Sequence, residues 1–550
     1  MQHIMFQLTT LGATPKRIDS NGIARLEVLI GEDALSSLEK EEFKMAWECL
    51  QEACPWSTAF QSYPYVATWY QVYKDVYVPI LIRYTLAGKL TGLLALALDS
   101  QGVIVGAGAE QAEYQVWVTK PEDEEAFVSA AFREVLKQFP GAAIRLKYVP
   151  GGANLQWIYQ SLYWKRHCLV RPVKQPLMGI DEDYLNAELR KKNRREKINR
   201  LKRLGHLNFE RVNNADRFDE VIDELTLQYD FRKGAMFNRN LFRADPRRRQ
   251  FLGLLFERGL LHTTLLTVDE KVIASNAGVI GKGWLHLQGL NTHCPTFAKY
   301  SPGILHFLFL GKQLAEEGIT VFDLTPGADP YKNILATDYG TAYQLDIVGS
   351  YTKLIRGFAM HMRKHVKAGA MAVGIRQETL RMLKKKIEQF HSRAGGGKLL
   401  SSTSRKAAEV QPILLTEACS AYSVSTELPL QYCSLKDLMD YVPSKSDCTR
   451  WEFLEAAMRR LETGEKCYTW SEHNLLLSCV WVGLLAPASG KAQLDGNTVL
   501  ELSYCHTSVK EKLPDFLQAI ARQVQQEKPG PVYALVNARD GVYLAAPSFF

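Results

Sequence analysis

Apolar and polar positions along the chain repeat one order of elements three times. In the middle third, LLHTTLLTV (260–268), a turn at 269–271, VIASNAGVI (272–280) and GWLHLQGL (283–290) have the β-branched, alternating character of strands. GILHFLFLGKQLAEEG (303–318) has helical spacing and closes on Gly318, and ITVFDLT (319–325) is again a strand. The first third reads the same way. YVPILIRYTL, a turn at 87–89 and LTGLLALAL predict a hairpin, AEYQVWVT (112–119) a third strand, 124–139 a helix and AAIRLKYV a closing strand. In the last third CYTW, NLLLSCVWVGLL and TVLELSYCHTS precede the helical LPDFLQAIARQVQQE and the strand PVYALVN. Each closing strand follows a helical crossover, which favours parallel pairing there. The expected fold class is therefore α/β, mixed sheets with helices.

Punctuation divides the 550 residues. A first unit is expected over 1–172 and a central unit over 173–395, whose end (351–390) has helical spacing. HSRAGGGKLLSSTSRKAAEVQP, from His391, lacks apolar periodicity and reads as a flexible linker, taken as 396–425, before a last unit over 426–550.

Composition narrows the class. Hydrophobic residues make up 46% and charged residues 23%, the balance of a soluble globular protein. No apolar run reaches the ~18 residues of a membrane helix, and the first residues lack the three-part pattern of a signal peptide. Ten scattered cysteines without a CxxC pair suit buried free thiols in a reducing, cytoplasmic compartment. The histidines do not join them at zinc-ligand spacing, so no metal is expected. The formal charge of +8 is concentrated in RKKNRREKINRLKR (190–203). Such a run can face phosphates, or simply water. It has no interleaved aromatics for base stacking. Ile198, Leu201 and Leu204 have the spacing of one packed stripe, so a structural helix is expected and a nucleic-acid partner is not.

Three clusters carry candidate chemistry. In YSPGILHF, Tyr300, Ser301, Pro302 and Gly303 precede or open a helix, whose free N–H groups and positive dipole end can hold a diphosphate; Ser301-Pro302 equally makes an ordinary cap. In VFDLTPGADPYKN, Asp323 ends a strand, where ligands of open α/β sheets gather. It can orient or deprotonate an amine, and Tyr331 beside Lys332 can protonate a leaving thiolate; equally, Asp323 can cap a turn with Tyr331 packed beneath it. In YDFRKGAMF, Arg232 or Lys233 can reach an anion or offset a helix C-terminus. His286, alternating into a strand, is a further base candidate. GxxxxGK[ST], GxSxG and HExxH are absent, and VGAGAE (105–110) lacks GxGxxG spacing.

These residues carry a resemblance. FQSYPYVATWY (60–70), the basic segment 190–203 running into LGHLNFE, YSPGIL (300–305) and FDLTPGADPYK (322–332) resemble motifs of GNAT-superfamily acyltransferases. The narrower likeness is to the cellulose-biosynthesis-type acetyltransferase branch, related to the Fem-type peptidoglycan aminoacyl transferases. The resemblance spans roughly residues 55–350. It implies a tandem GNAT-like core plus a third GNAT-like C-terminal unit. It implies an N-acyltransferase in polysaccharide biosynthesis that uses acetyl-CoA or another acyl-CoA as co-substrate and a small-molecule or glycan-linked amine as acceptor. The donor diphosphate would sit at Tyr300, Ser301, Pro302 and Gly303, where SPG replaces the general GNAT pattern Q/RxxGxG/A. That departure leaves two alternatives open, a Fem-type transferase using aminoacyl-tRNA and a non-catalytic scaffold of an envelope or polysaccharide synthesis complex, with a protein partner docked on the last unit.

Overall fold

The computed structural model describes residues 16–17, 24–327, 329–355, 358, 362, 386, 388, 411–415, 428–443, 448–484 and 497–536. Of the linker expected over 396–425, residues 411–415 are described, and Gln411–Leu414 form a strand paired with Val532–Val536 rather than flexible chain; the rest of that stretch and most of the helical spacing at 351–390 lie outside the described residues. The chain forms two compact units. The first contains residues 1–223, 245–292 and 302–375, and the second 224–244, 293–301 and 376–550.

The first unit is built on a 14-stranded sheet. Its strands are β1 (Lys16–Arg17), β2 (Ala24–Ile30), β3 (Val78–Leu86), β4 (Lys89–Leu98), β5 (Val103–Gly106), β6 (Val118–Thr119), β7 (Ala143–Pro150) and β8 (Cys168–Gly179). They continue with β9 (Leu207–Val212), β10 (Leu261–Val268), β11 (Lys271–Gly281), β12 (Trp284–His293), β13 (Val321–Asp323) and β14 (Asp338–Ile347). The order is β1-β2-β3-β4-β5-β7-β14-β8-β13-β12-β11-β10-β9, with β6 on β4. Tight turns set the hairpins. Ala87-Gly88 and Lys282-Gly283 both hold positive φ at both positions, the two-residue turn whose twist matches that of the flanking strands.

The expected crossovers close on parallel pairs. β5 pairs in parallel with β7 across the helix Glu124–Gln138, and β12 with β13 across the helix Pro302–Glu316. The third strand of the first repeat differs from expectation. AEYQVWVT supplies only the short β6, and the place beside β4 and β7 is taken by β5, whose last two residues open the Gly-rich VGAGAE. β8, which follows the first repeat, lies between β13 and β14, while β14, which follows the second, lies between β8 and β7. Each repeat thus lends its last strand toward the other, and one continuous sheet results. Residues 172 and 173 are both inside β8.

The second unit carries a six-stranded sheet, β15 (Gln411–Leu414), β16 (Leu430–Tyr432), β17 (Lys466–Glu472), β18 (Leu475–Leu484), β19 (Thr498–Cys505) and β20 (Val532–Val536), in the order β15-β20-β19-β18-β17-β16. The helix Leu513–Glu527 crosses between the parallel β19 and β20. Its face of Leu513, Phe516, Leu517, Ile520 and Val524 packs on Trp470, Val480 and Leu500. This is the third copy of the order read from the sequence. Among the described residues, no helix is long and apolar enough to cross a membrane.

Candidate active site

Strand alternation divides the residues of β12 and β13 between two faces. Leu285, Leu287, Phe322 and Leu324 join Phe307, Leu310 and Leu314 of the helix Pro302–Glu316 in one apolar cluster. Each such side chain gains roughly 1.5–3 kcal/mol on full burial, which seats the helix against the sheet. His286 and Asp323 point to the other face. They are opposed in the parallel register, His286↔Asp323, the last of three paired positions after Trp284↔Val321 and Leu285↔Phe322. Beyond that point the strands part. β12 runs on to His293, whereas Leu324 donates its N–H to Pro176, beside β8.

His286 is 2% exposed and Asp323 0%. Nδ1 of His286 lies 2.9 Å from Oδ2 of Asp323, and Thr325 N–H donates to Oδ1 at 2.9 Å. The carboxylate is thus an acceptor on both oxygens. With the carboxylate as acceptor, Nδ1 is the donor of this contact, and Nε2 makes no hydrogen bond among the described residues. The ring is lined by Phe60 at 5.2 Å, Tyr114 at 5.6 Å and Trp284 at 6.1 Å between centroids.

Phe60 and Tyr114 come from the first repeat, and sequence reasoning did not single them out. Phe60 is on a 3₁₀ turn (Ala59–Gln61) closed by a capping box between Thr58 and Gln61. Gln61 Nε2 donates to Tyr114 O at 2.8 Å and so ties the two walls together. The Tyr114 hydroxyl is buried without a hydrogen-bond partner. Burial first, then the Asp323 carboxylate, hold its pKa well above the phenol value, so it stays a proton donor. Only the FQSYP motif hinted at this wall; nothing local marks Tyr114.

The loop after Asp323 is strained and stapled. Thr325 is β-branched yet left-handed, with φ 60°. Lys332, 5% exposed, donates from Nζ to Thr325 O at 3.0 Å, to Thr325 Oγ1 at 3.3 Å and to Pro326 O at 3.4 Å. Burial lowers its pKa, against the raising influence of Asp329. A Cβ at Gly327 would come within 2.8 Å of that ammonium. Lys332 therefore holds the loop that presents Thr325 N–H to Asp323. Tyr331, half-buried on the helix Pro330–Leu335, stacks on Phe307 at 5.9 Å, on the face opposite His286.

Tyr300 ends the 3₁₀ turn Pro295–Tyr300, and Ser301 is its left-handed C-cap with φ 53°, not the extended conformation usual for an N-cap. Pro302 opens the helix Pro302–Glu316, whose first turn has no acidic residue. The corresponding helix of the first repeat starts differently. Glu124 and Glu125 occupy its first turn, and buried Glu124 accepts from Trp117 Nε1 at 2.7 Å and Asn154 N at 2.8 Å. Arg232 belongs to the second unit. Its titratable neighbours there are Glu462, whose pKa burial raises and Arg232 lowers, and His293, taken down to about 3 by burial and then by Arg232. The structure therefore brings His286, Asp323 and the Lys332-held loop together at the parting of β12 and β13, with Tyr331 on the other face; Arg232 belongs to the second unit. No group of three or more His, Cys, Asp or Glu side chains among the described residues could hold a metal.

Residues 189–333, from before β9 to the middle of the helix that carries Tyr331, match the acetyltransferase (GNAT) domain family. That stretch is thus similar to a GNAT acetyltransferase domain within a mixed α/β fold, and acyl transfer in general is the chemistry that the match supports. No curated protein matches in sequence. Among solved structures, FemX is similar at 10% identity, over 57% of this chain and 98% of that one, with a TM-score of 0.41. A tandem GNAT protein from the clavulanic acid biosynthesis pathway is similar at 12% identity, over 58% and 98%, with a TM-score of 0.36. L-PGS from Bacillus licheniformis is similar at 12% identity, over 46% and 80%, with a TM-score of 0.32.

Proposed function

We propose that the protein is an N-acyltransferase that moves an acetyl or other acyl group from acyl-CoA to an amine. The carrying observation is the parting of β12 from β13 immediately after a buried His286–Asp323 pair whose outer nitrogen, Nε2, is unpartnered. The donor's diphosphate is assigned to the acid-free helix start that follows Tyr300 and Ser301 and opens with Pro302 and Gly303, because the first backbone N–H groups of a helix have no partner in its own ladder. Its acyl arm would run along the edge of β12 beyond His286. A backbone N–H of that edge would receive the developing oxyanion.

The acceptor nitrogen attacks the thioester carbon and passes a proton to His286 Nε2. Asp323 holds the ring through Nδ1 and stabilises the imidazolium that forms. As the intermediate collapses, the C–S bond breaks and the thiolate takes the proton back from the His286 imidazolium; Tyr331, stacked on Phe307 on the other face, keeps a packing role. Alignment of the two substrates supplies much of the acceleration. The acidic start of the helix Glu124–Gln138 argues against a second donor site in the first repeat. The cytoplasm is the proposed compartment, in keeping with nine free cysteines among the described residues.

Thermal-shift titration with acetyl-CoA, longer acyl-CoAs and free CoA tests the donor. A ligand at 100 times its Kd stabilises the folded state by about 2.7 kcal/mol, so a clear rise in midpoint is expected with one of them. If none shifts the midpoint while an aminoacyl-tRNA supports transfer, the donor assignment is wrong.

A further inference from the structure

The segment 190–203 holds nine Lys or Arg residues and one Glu, a net +8 equal to the formal charge of the entire chain. The rest of the molecule is balanced overall. From the structure, we infer that this segment is a docking surface for an anionic lipid bilayer, which the protein meets peripherally.

The segment covers the end of the helix Glu182–Arg190 and the helix Lys192–Lys202. The second helix is fixed to the body by buried Leu201 and half-buried Ile198, so it is ordered before any partner arrives. Leu204, expected to complete a packed stripe, is instead 51% exposed. Lys192, Arg195, Arg200, Lys202 and Arg203 are exposed and make no ion pair among the described residues. Elsewhere in this unit, Arg217 pairs with Glu210 at 2.8 Å and Arg249 with Asp223 at 2.6 Å. The acids around it are Asp181, Glu182 and Asp183 at the start of the preceding helix, Glu188 paired with Lys191, and Asp269, whose carboxylate accepts from His206 N at 2.8 Å; none pairs with the five exposed cations.

Two features favour a bilayer over a nucleic acid. The free cations occupy exposed positions of one helix and the residue that caps it, with no aromatic among them to stack a base. Leu204 stands exposed directly after Lys202 and Arg203. An apolar side chain between cations gains by entering the boundary of headgroups and acyl chains, whereas a phosphate backbone would leave it in water. A cluster of Lys and Arg at an anionic leaflet is attracted additively and within a short screening distance. This reading is independent of the acyl-transfer proposal.

Flotation of the full chain with vesicles of phosphatidylcholine, alone or mixed with phosphatidylglycerol, is the test. Binding is expected only with phosphatidylglycerol present, and it should weaken as salt rises. The triple variant R195E/R200E/K202E should lose on the order of 100-fold in partition, and Leu204→Ser a few-fold at constant charge. Since all four side chains are exposed, the melting midpoints should match the parent. Equal binding to both vesicle types, or a triple variant that floats like the parent, overturns the inference. So does tight, salt-sensitive binding of a folded RNA by a chain that ignores the vesicles.

Discussion

His286 and Asp323 face each other across the parallel β12–β13 pair, with Nδ1 2.9 Å from Oδ2, at the last position before the two strands part. The register alone brings them together, since 36 residues of turn, helix and strand separate them in the chain. A buried imidazole held on one side by a carboxylate and free on the other is arranged as a base.

Replacing His286 by Gln should lower kcat by about 10²–10⁴-fold, the usual contribution of a general base. Asp323→Asn should lower it less and shift the pH profile of kcat, because the amide cannot stabilise the imidazolium. Donor affinity, read by thermal shift, should change little in either. Wild-type turnover in His286→Gln would remove the residue from the mechanism.

Tyr114→Phe separates function from packing. The hydroxyl is buried and unpaired, so its removal should leave stability within about 1 kcal/mol or raise it slightly. If the phenol positions the acceptor beside Asp323, kcat should fall roughly tenfold, about 1.4 kcal/mol of transition-state stabilisation, while the donor's KM is unchanged. A variant that is more stable and fully active would make the hydroxyl a bystander.

Lys332→Met should destabilise the first unit by about 1–3 kcal/mol, because the Thr325 and Pro326 acceptors lose a buried donor. Thr325→Gly relieves the left-handed β-branched residue, so stability should be unchanged or improved. Activity should fall in both, since Thr325 N–H fixes Asp323. Denaturant melts alongside turnover check the pair. A fall in stability for Thr325→Gly would contradict the strain.

Acid should destabilise the protein through His306. It is buried, with Nε2 3.0 Å from Thr264 Oγ1 and His262 as its titratable neighbour, and its pKa is lowered from 6.5 to about 3, mainly by burial. The unfolded chain therefore binds a proton that the folded chain refuses. Stability is fully present above about pH 6.5 and is lost as pH falls from there toward about 3. His306→Phe should flatten part of that slope in melts from pH 7 to 4; the lowered His262 and His293 supply the remainder. An unchanged slope would show that His306 is protonated when folded.

Gly303→Val tests the donor's anchoring. A side chain at the helix start crowds the backbone that a diphosphate must approach, so the CoA-induced rise in midpoint should shrink while the apo midpoint is nearly kept. CoA binding equal to the parent would move the diphosphate elsewhere.

The alternation of WLHLQGL and ITVFDL by itself determined that His286 and Asp323 lie on polar positions of strands, because side-chain direction has a period of two residues. The three-fold order of strands, crossover helix and closing strand was legible for the same reason: amphipathic spacing is local. Chain order could not determine that β8 and β14 sit side by side between the two repeats, that four-residue β5 replaces the AEYQVWVT stretch beside β7, or that Tyr114 and Phe60 line the His286 ring. Those relations depend on register and on burial between segments far apart in sequence, where shape and the pairing of buried polar groups select one arrangement. The exposure of Leu204 belongs with them, since whether an apolar position is covered is settled by the neighbour that tertiary structure supplies.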